Sequence, residues 1–134
     1  MSARILLFDI ETWPALAYVW GAYDQNVIQI KEREGILCIS WKWLGEDEIH
    51  FFRATKKPYD QKVVRKLHEL LDEADIVVAH NGDRFDITKA NAAFINMGLL
   101  PPSPYFSVDT KKSSSRYFRQ YKNNLDYLGD IWSI

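Results

Sequence analysis

The sequence has few of the features that mark secreted, membrane-spanning or nucleic-acid-packaging proteins. It contains one cysteine, Cys38, in 134 residues, so it offers no internal disulfide and no metal-thiolate spacing. A reducing, cytoplasmic setting therefore fits best. We find no apolar run of membrane-spanning length and no secretory signal pattern at the N-terminus. With 17 basic and 18 acidic residues, the chain lacks the bulk positive charge of a histone-like protein.

What the sequence does contain is enough apolar material for a core, since 47% of its residues are hydrophobic and 14% aromatic. We predict a single domain over residues 1–134. Periodicity predicts these elements: strands over 4–9, 16–20, 36–44, 48–53, 75–79 and 105–109, and helices over 58–74, 84–97 and from about 124. The strands over 36–44 and 48–53 should form an antiparallel hairpin, while residues 25–34 should be a surface excursion. Later strands should return through crossover helices, which gives an α/β fold with a mixed sheet flanked by helices.

Two acids stand at alternate positions of the first strand, in the motif Phe8-Asp9-Ile10-Glu11-Thr12. Alternate residues of a strand share a face, so Asp9 and Glu11 should lie side by side with Ile5 and Leu7. Two carboxylates beside an apolar core repel each other and lose hydration, which a divalent cation would relieve. We therefore predict half of a metal site here. The alternative is a solvated strand end.

A second acidic motif follows the strand over 75–79 and opens the next helix, with Asn81, Phe85 and Asp86 as its main members. Ligand sites of open α/β sheets lie at strand ends, and Asp86 in the first helical turn could point toward the end of the first strand. The alternative is that Asp83 or Asp86 caps the helix, because acids stabilise a helix N-terminus without any chemistry.

Together the two motifs resemble the DnaQ-like 3′–5′ exonucleases, the DEDD nucleases with a ribonuclease H-like fold. The likeness is strongest to the exonuclease domain of family B DNA polymerases and its stand-alone bacterial and phage relatives. It extends over Tyr18–Gly21, Ala79–Asn81, Val108–Thr110 and Asn124–Gly129.

The resemblance implies that Asp9, Glu11 and Asp86 are catalytic metal ligands for two Mg²⁺ or Mn²⁺ ions. It places Thr12, Asn81 and Phe85 at the substrate. The implied reaction releases 5′-mononucleotides from a DNA 3′ end, in a bacterial or phage-infected cell.

The chain departs from the family at its fourth acid, which normally follows a tyrosine or histidine on a late helix. Asp130 lies three residues after Tyr127, which does not fit that pattern, and is also well placed to be a plain surface acid. We therefore expect a C-terminally truncated domain. Three explanations stay open: the chain is a fragment, a second polypeptide completes it, or Asp130 is an irregular ligand. An exposed apolar patch near Leu125, Leu128, Ile131 and Trp132 would also invite a homo-oligomer.

A basic stretch without acids runs from Lys111 to Lys122. Its cations are Lys111, Lys112, Arg116, Arg119 and Lys122, and its aromatics are Tyr117, Phe118 and Tyr121. This composition suits single-stranded DNA, because cations hold phosphates while aromatic rings stack on bases. The alternative is a solvated helix face with core aromatics. Two functions therefore remain: a metal-dependent exonuclease, or a non-catalytic nucleic-acid-binding module with the same fold.

The remaining tryptophans and histidines give weaker signals. Trp41 and Trp43 share a strand face and are expected in the core rather than in a stacking platform. We assign no role to His50 or His68, and we expect His80 to form hydrogen bonds at the end of its strand.

Overall fold

The computed structural model describes residues 2–133; Met1 and Ile134, the two ends of the predicted domain, lie outside the described residues. The strands are β1 (Ile5–Trp13), β2 (Leu16–Tyr18), β3 (Gln29–Glu32), β4 (Gly35–Trp43), β5 (His50–Arg53), β6 (Ile76–Ala79) and β7 (Phe106–Asp109). The helices are α1 (Gln61–Glu73), α2 (Asp86–Asn96), α3 (Thr110–Tyr117) and α4 (Leu125–Trp132).

Five strands form one mixed sheet in the order β5-β4-β1-β6-β7. The hairpin β4–β5 and the pair β1–β4 are antiparallel, whereas β6 lies parallel to β1 and to β7. The predicted hairpin, crossovers and mixed sheet are therefore confirmed. β1 is central, with partners on both sides, so residues at its end lie in the middle of the sheet edge.

The core lies between one face of this sheet and helices α1 and α2. β1 contributes Leu6, Phe8 and Ile10, and α1 adds the apolar stripe that its helical periodicity predicts. Trp41 and Trp43 are 6% and 7% exposed, which confirms their predicted place in the core. We call the opposite side of the sheet, which carries Leu7, Asp9 and Glu11, the open face.

Apolar side chains on the open face remain accessible. Directly opposed residues on neighbouring strands point to the same side, and the register pairs Asp9 with Ser40, Ser40 with Phe51, and Val78 with Val108. Phe51 is 60% exposed and Val108 is 42% exposed. This side therefore offers uncovered apolar surface beside the acids.

Several element boundaries differ from the prediction. β1 continues to Trp13, past the acids, and a register shift between Glu11 and Thr12 marks a β-bulge there. The predicted excursion over 25–34 contains β3, which pairs with β2 and is exposed along its length. Helix α1 begins after Asp60 rather than at Pro58, because the Asp60 side chain accepts the Lys62 N–H and caps the helix.

Tight packing at the β6–α2 connection places the second motif. Asn81 adopts a left-handed backbone with φ of 61°, which asparagine tolerates better than most residues. A Cβ on Gly82 would lie 2.4 Å from the Cβ of Ala79, so a side chain cannot fit there. The loop therefore turns sharply back toward the sheet before α2 begins.

Candidate active site

Asp9 and Glu11 lie on the open face of β1, as the strand alternation predicts. The structure corrects one part of that prediction, because both side chains are exposed and do not lie among core residues. Asp9 is nevertheless partly desolvated, and this burial together with the negative charge of Glu11 raises the pKa of its carboxyl. The two acids therefore keep an unfavourable interaction in the folded chain.

Asp86 is 1% exposed and occupies the first turn of α2. Its Oδ1 accepts the backbone N–H of Ile10 at 2.8 Å, a contact between residues that are 76 positions apart. The backbone pairing between β1 and β6 ends at Leu7 and Val78. The Ile10 N–H lies beyond that pairing, and Asp86 is its acceptor. The predicted approach of Asp86 to the end of the first strand is confirmed.

Three carboxylates consequently influence one another at the centre of the sheet edge. Burial, with a smaller contribution from the charges of Asp9 and Glu11, raises the pKa of Asp86 to about 6, although the hydrogen bond from the Ile10 N–H acts in the opposite direction. A proton or a cation would relieve this repulsion. The donor set is all oxygen, which suits hard cations such as Mg²⁺ and Mn²⁺.

Proximity of the three carboxylates does not by itself make a metal site, because the ligand oxygen atoms must also surround one point. Within residues 2–133, no group of three His, Cys, Asp or Glu side chains is arranged as a ready metal site. Asp86 already uses Oδ1 for the Ile10 N–H. The three carboxylates fit a hard cation by their chemistry, and their roles as ligands stay predictions.

Asp109 is a buried acid that the sequence reasoning left without a role. It is 5% exposed, and its carboxylate accepts four backbone N–H groups. The donors are Asn81 at 2.9 Å, Asp83 at 3.3 Å, Lys111 at 3.0 Å and Lys112 at 3.4 Å. Asp109 thus caps α3 and fastens the loop that leads to Asp86. The helix that Asp109 caps was not predicted from the sequence; the available signal was an aspartate at the end of the predicted strand 105–109, since aspartate is a preferred N-cap residue.

His80 links the same loop to the chain before α4. Its Nε2 donates to the carbonyl oxygen of Asn123 at 2.7 Å, and its Nδ1 forms a hydrogen bond with the hydroxyl of Thr110 at 3.0 Å. This geometry agrees with the predicted hydrogen-bonding role at the strand end. Asp9, His80 and Thr110 line one open groove of about 420 Å³ on the open face.

The other predicted substrate residues separate into different places. Phe85 is half-buried at the N-cap of α2, next to Asp86. Thr12 lies beyond the bulge and lines a different cleft with Glu34 and Lys89. Each of the two is the chain neighbour of a predicted ligand, Phe85 of Asp86 and Thr12 of Glu11, and neither lines the groove that contains Asp9. The contact of either residue with substrate stays a prediction.

The basic stretch is divided by the end of α3. Lys111, Lys112 and Arg116 line a cleft, described below, whereas Arg119 and Lys122 follow the helix and do not line it. The aromatics of the stretch are exposed, with Tyr117 at 68%, Phe118 at 49% and Tyr121 at 86%. The alternative that these rings belong to the core is therefore wrong.

The fourth acid has no clear position among the described residues. Asp130 is exposed on α4 and lines a cleft with Leu125 and Asp126. Leu125 also lines the groove that contains Asp9, but Asp130 does not. The predicted apolar patch needs one correction, because Leu128 is 3% exposed. Its other members, Leu125, Ile131 and Trp132, are accessible as expected.

Comparison with known proteins supports the fold. No protein-family model and no curated protein sequence matches the chain. Among solved structures, the family B DNA polymerase from the hyperthermophilic archaeon Pyrobaculum calidifontis is similar, with a TM-score of 0.68 and 18% sequence identity. The match covers 98% of this chain and 18% of the polymerase chain.

The chain therefore spans less than a fifth of the polymerase that it resembles.

Within residues 2–133, no helix is both long enough and apolar enough to cross a membrane. At 18% identity the likeness shows the fold, a mixed sheet flanked by helices that is consistent with the predicted ribonuclease H-like arrangement.

Proposed function

We propose that this chain is a metal-dependent 3′–5′ exonuclease domain that hydrolyses phosphodiester bonds at DNA 3′ ends. The observation that carries the proposal is the meeting of Asp86 with the strand segment between Asp9 and Glu11. A fold has little structural reason to bring a third carboxylate to two that already repel each other. The similarity to a DNA polymerase structure supports a nucleic-acid substrate.

Asp9, Glu11 and Asp86 would hold Mg²⁺ or Mn²⁺, and a pair of such ions supplies an activated water and stabilises the leaving oxygen. The chain's own part is positioning. The Ile10 N–H fixes Asp86, and Asp109 fixes the loop that precedes it. In the proposed reaction, the oxygen of water would bond to phosphorus as the bond to the 3′ oxygen breaks; a proton lost by the water would end on that 3′ oxygen, and a 5′-mononucleotide would leave.

A second polypeptide or a second copy of this chain is part of the proposal, because Asp130 does not line the groove with Asp9. A partner that covers the exposed Phe51 and Val108 would lie close to the carboxylates. Such a partner could supply the fourth acid. The partner would add activity, whereas cation binding by the three acids is expected of the chain alone.

The main test is cleavage of a 5′-labelled single-stranded oligonucleotide in Mn²⁺, with calorimetric titration of Mn²⁺ as an independent readout. Wild type should bind Mn²⁺ and, alone or after completion by its partner, shorten the substrate stepwise from its 3′ end. Asp9→Asn and Asp86→Asn should lower the rate on the order of 100-fold or more, because each removes a metal ligand. Asparagine at 86 can still accept the Ile10 N–H, so the fold should persist.

Asp47→Asn is the matched control, since Asp47 is an exposed acid in the β4–β5 turn. It should leave both cleavage and Mn²⁺ binding unchanged. Absence of both cleavage and Mn²⁺ binding in wild type would contradict the proposal. The second candidate function, a non-catalytic nucleic-acid-binding module, draws its support from the cleft that Lys111, Lys112 and Arg116 line, because binding there needs no carboxylate. Oligonucleotide binding without Mn²⁺ binding or cleavage would favour that module.

A further inference from the structure

A cleft of about 380 Å³ opens between the loop after β6 and helix α3. Its lining is polar and cationic, and we call it the basic cleft: Asn81, Arg84, Lys111, Lys112, Ser115 and Arg116. Four of these six side chains are cations and none is a carboxylate. Arg84 belongs to the second acidic motif, so the cleft joins two stretches that the sequence presents as unrelated.

The chain as a whole has balanced charge, with 17 basic and 18 acidic residues, but most cations of the basic cleft have no acidic partner among the described residues. Lys112 forms an ion pair with Asp83 at one side of the cleft. Within residues 2–133, Arg84, Lys111 and Arg116 form no ion pair. Grouped like charges without counter-charges raise the local potential and attract a polyanion.

The walls of the basic cleft are held in fixed relation to each other. The Asp109 carboxylate accepts the N–H of Asn81 on one wall and the N–H of Lys111 on the other. Asn81 also begins the turn, since its carbonyl accepts the Phe85 N–H at 3.0 Å. The backbone that carries the cations is therefore preorganised, which lowers the ordering cost of binding.

The basic cleft adjoins the groove that contains Asp9. His80 and Thr110 line the groove, while the residues that follow each of them, Asn81 and Lys111, line the cleft. Arg84 lies two residues before Asp86. A chain of phosphates could therefore pass directly from the cleft to the carboxylates.

We propose that the basic cleft binds the phosphodiester backbone of a single-stranded nucleic acid, with Arg84 as a phosphate-binding residue. That the basic cleft holds the nucleotides on the 5′ side of the cleaved one rests on the proposed exonuclease function. An extended polyanion suits the cleft better than a lone phosphate, because the cations are exposed and spread along an open surface. The Arg116 guanidinium lies 5.4 Å from the ring centre of Tyr117, which is exposed for base stacking.

The test is fluorescence anisotropy of a labelled twelve-nucleotide oligothymidylate in EDTA, which prevents metal-dependent cleavage. Arg84→Ala, Lys111→Ala and Arg116→Ala should each weaken binding on the order of threefold to tenfold. Each lost phosphate contact should reduce the slope of log affinity against log salt by about 0.7. Arg84→Lys keeps the charge and should recover much of the affinity.

Arg65→Ala is the matched control, because Arg65 is an exposed cation on α1, away from the cleft lining. It should leave affinity and salt slope unchanged. Equal weakening by the control would overturn the inference and indicate a diffuse charge effect. Inorganic phosphate that competes at low millimolar concentration would also overturn it, since that result indicates a small-anion site.

The inference and the exonuclease proposal fail in different ways. Tight oligonucleotide binding that depends on Arg84, with neither cleavage nor Mn²⁺ binding, supports the cleft and contradicts the exonuclease. If cleavage depends on Asp86 while the Arg84 and Arg116 variants bind the oligonucleotide as tightly as wild type, the exonuclease proposal is supported and the cleft inference is overturned.

Discussion

Asp86 and Asp109 are two buried aspartates at the starts of neighbouring helices, and their surroundings are opposite. Asp109 accepts four backbone N–H groups, whereas Asp86 faces the charges of Asp9 and Glu11 while it holds the Ile10 N–H. Hydrogen bonds from N–H groups compensate the loss of water around a carboxylate, but neighbouring carboxylates add to that cost. Burial alone therefore does not distinguish a structural acid from a functional one; the partners of its oxygen atoms do.

The largest expected effect on stability belongs to Asp109→Ala. This change removes the α3 N-cap and leaves the N–H groups of Asn81 and Lys111 without their acceptor, so it should lower the free energy of unfolding by about 4 kcal/mol. Urea denaturation measures this loss. Asp109→Asn should cost less, because its amide oxygen can still accept.

Asp60→Ala is a useful control for Asp109→Ala, since Asp60 caps α1 and accepts the N–H groups of Thr55 and Lys62. It should also destabilise the fold while Mn²⁺ affinity of the folded protein stays unchanged. A loss below about 1 kcal/mol for Asp109→Ala would contradict the stabilising role that its four N–H donors give to Asp109.

The second prediction concerns the pH dependence of stability without metal. Asp86 has a folded pKa of about 6 against an ordinary value of 3.8, so the folded chain retains a proton that the unfolded chain releases. Stability from this group is present below pH 3.8 and is lost as pH rises to 6. The loss approaches about 3 kcal/mol at pH 7.

Asp86→Asn removes this titration and keeps an acceptor for the Ile10 N–H. Urea denaturation in EDTA should find the variant close to wild type at pH 4 and about 3 kcal/mol more stable at pH 7. Parallel stability curves for the two proteins between pH 4 and 7 would contradict the repulsion that distinguishes Asp86 from Asp109.

The smallest predicted effect comes from Asp83, which is tied to Asp109 through its N–H and to Lys112 through its side chain. The Lys112 hydrogen bond holds the pKa of the Asp83 carboxyl below its usual value. Asp83→Asn should cost less than about 1 kcal/mol, because the ion pair is partly exposed. By freeing Lys112, it should strengthen oligonucleotide binding up to about threefold, as measured by anisotropy. Weaker binding in this variant would argue that Asp83 orients the cleft rather than neutralises it.

Local sequence predicted much of the architecture because local patterns cause it. Alternation in β1 and the apolar stripe of α1 are short-range features that fix element type. Asp9 and Glu11 were predicted as half of a metal site because paired carboxylates beside apolar residues are unfavourable without a cation. Asp86 was added as a third ligand only through the resemblance of the two motifs to a known family, and the ligand roles stay predictions. β3 was missed because it is exposed on every residue and carries no apolar alternation.

The sequence by itself determined which residues could form strands and helices, and which carboxylates and cations were available for chemistry. Only the tertiary structure decided which oxygen atoms meet which partners. It brought Asp86 to the Ile10 N–H, gave Asp109 its four donors, and placed Arg84 beside Lys111. The reason is physical: hydrogen bonds and charge interactions act over a few ångströms, and chain folding alone sets those distances for residues far apart in sequence.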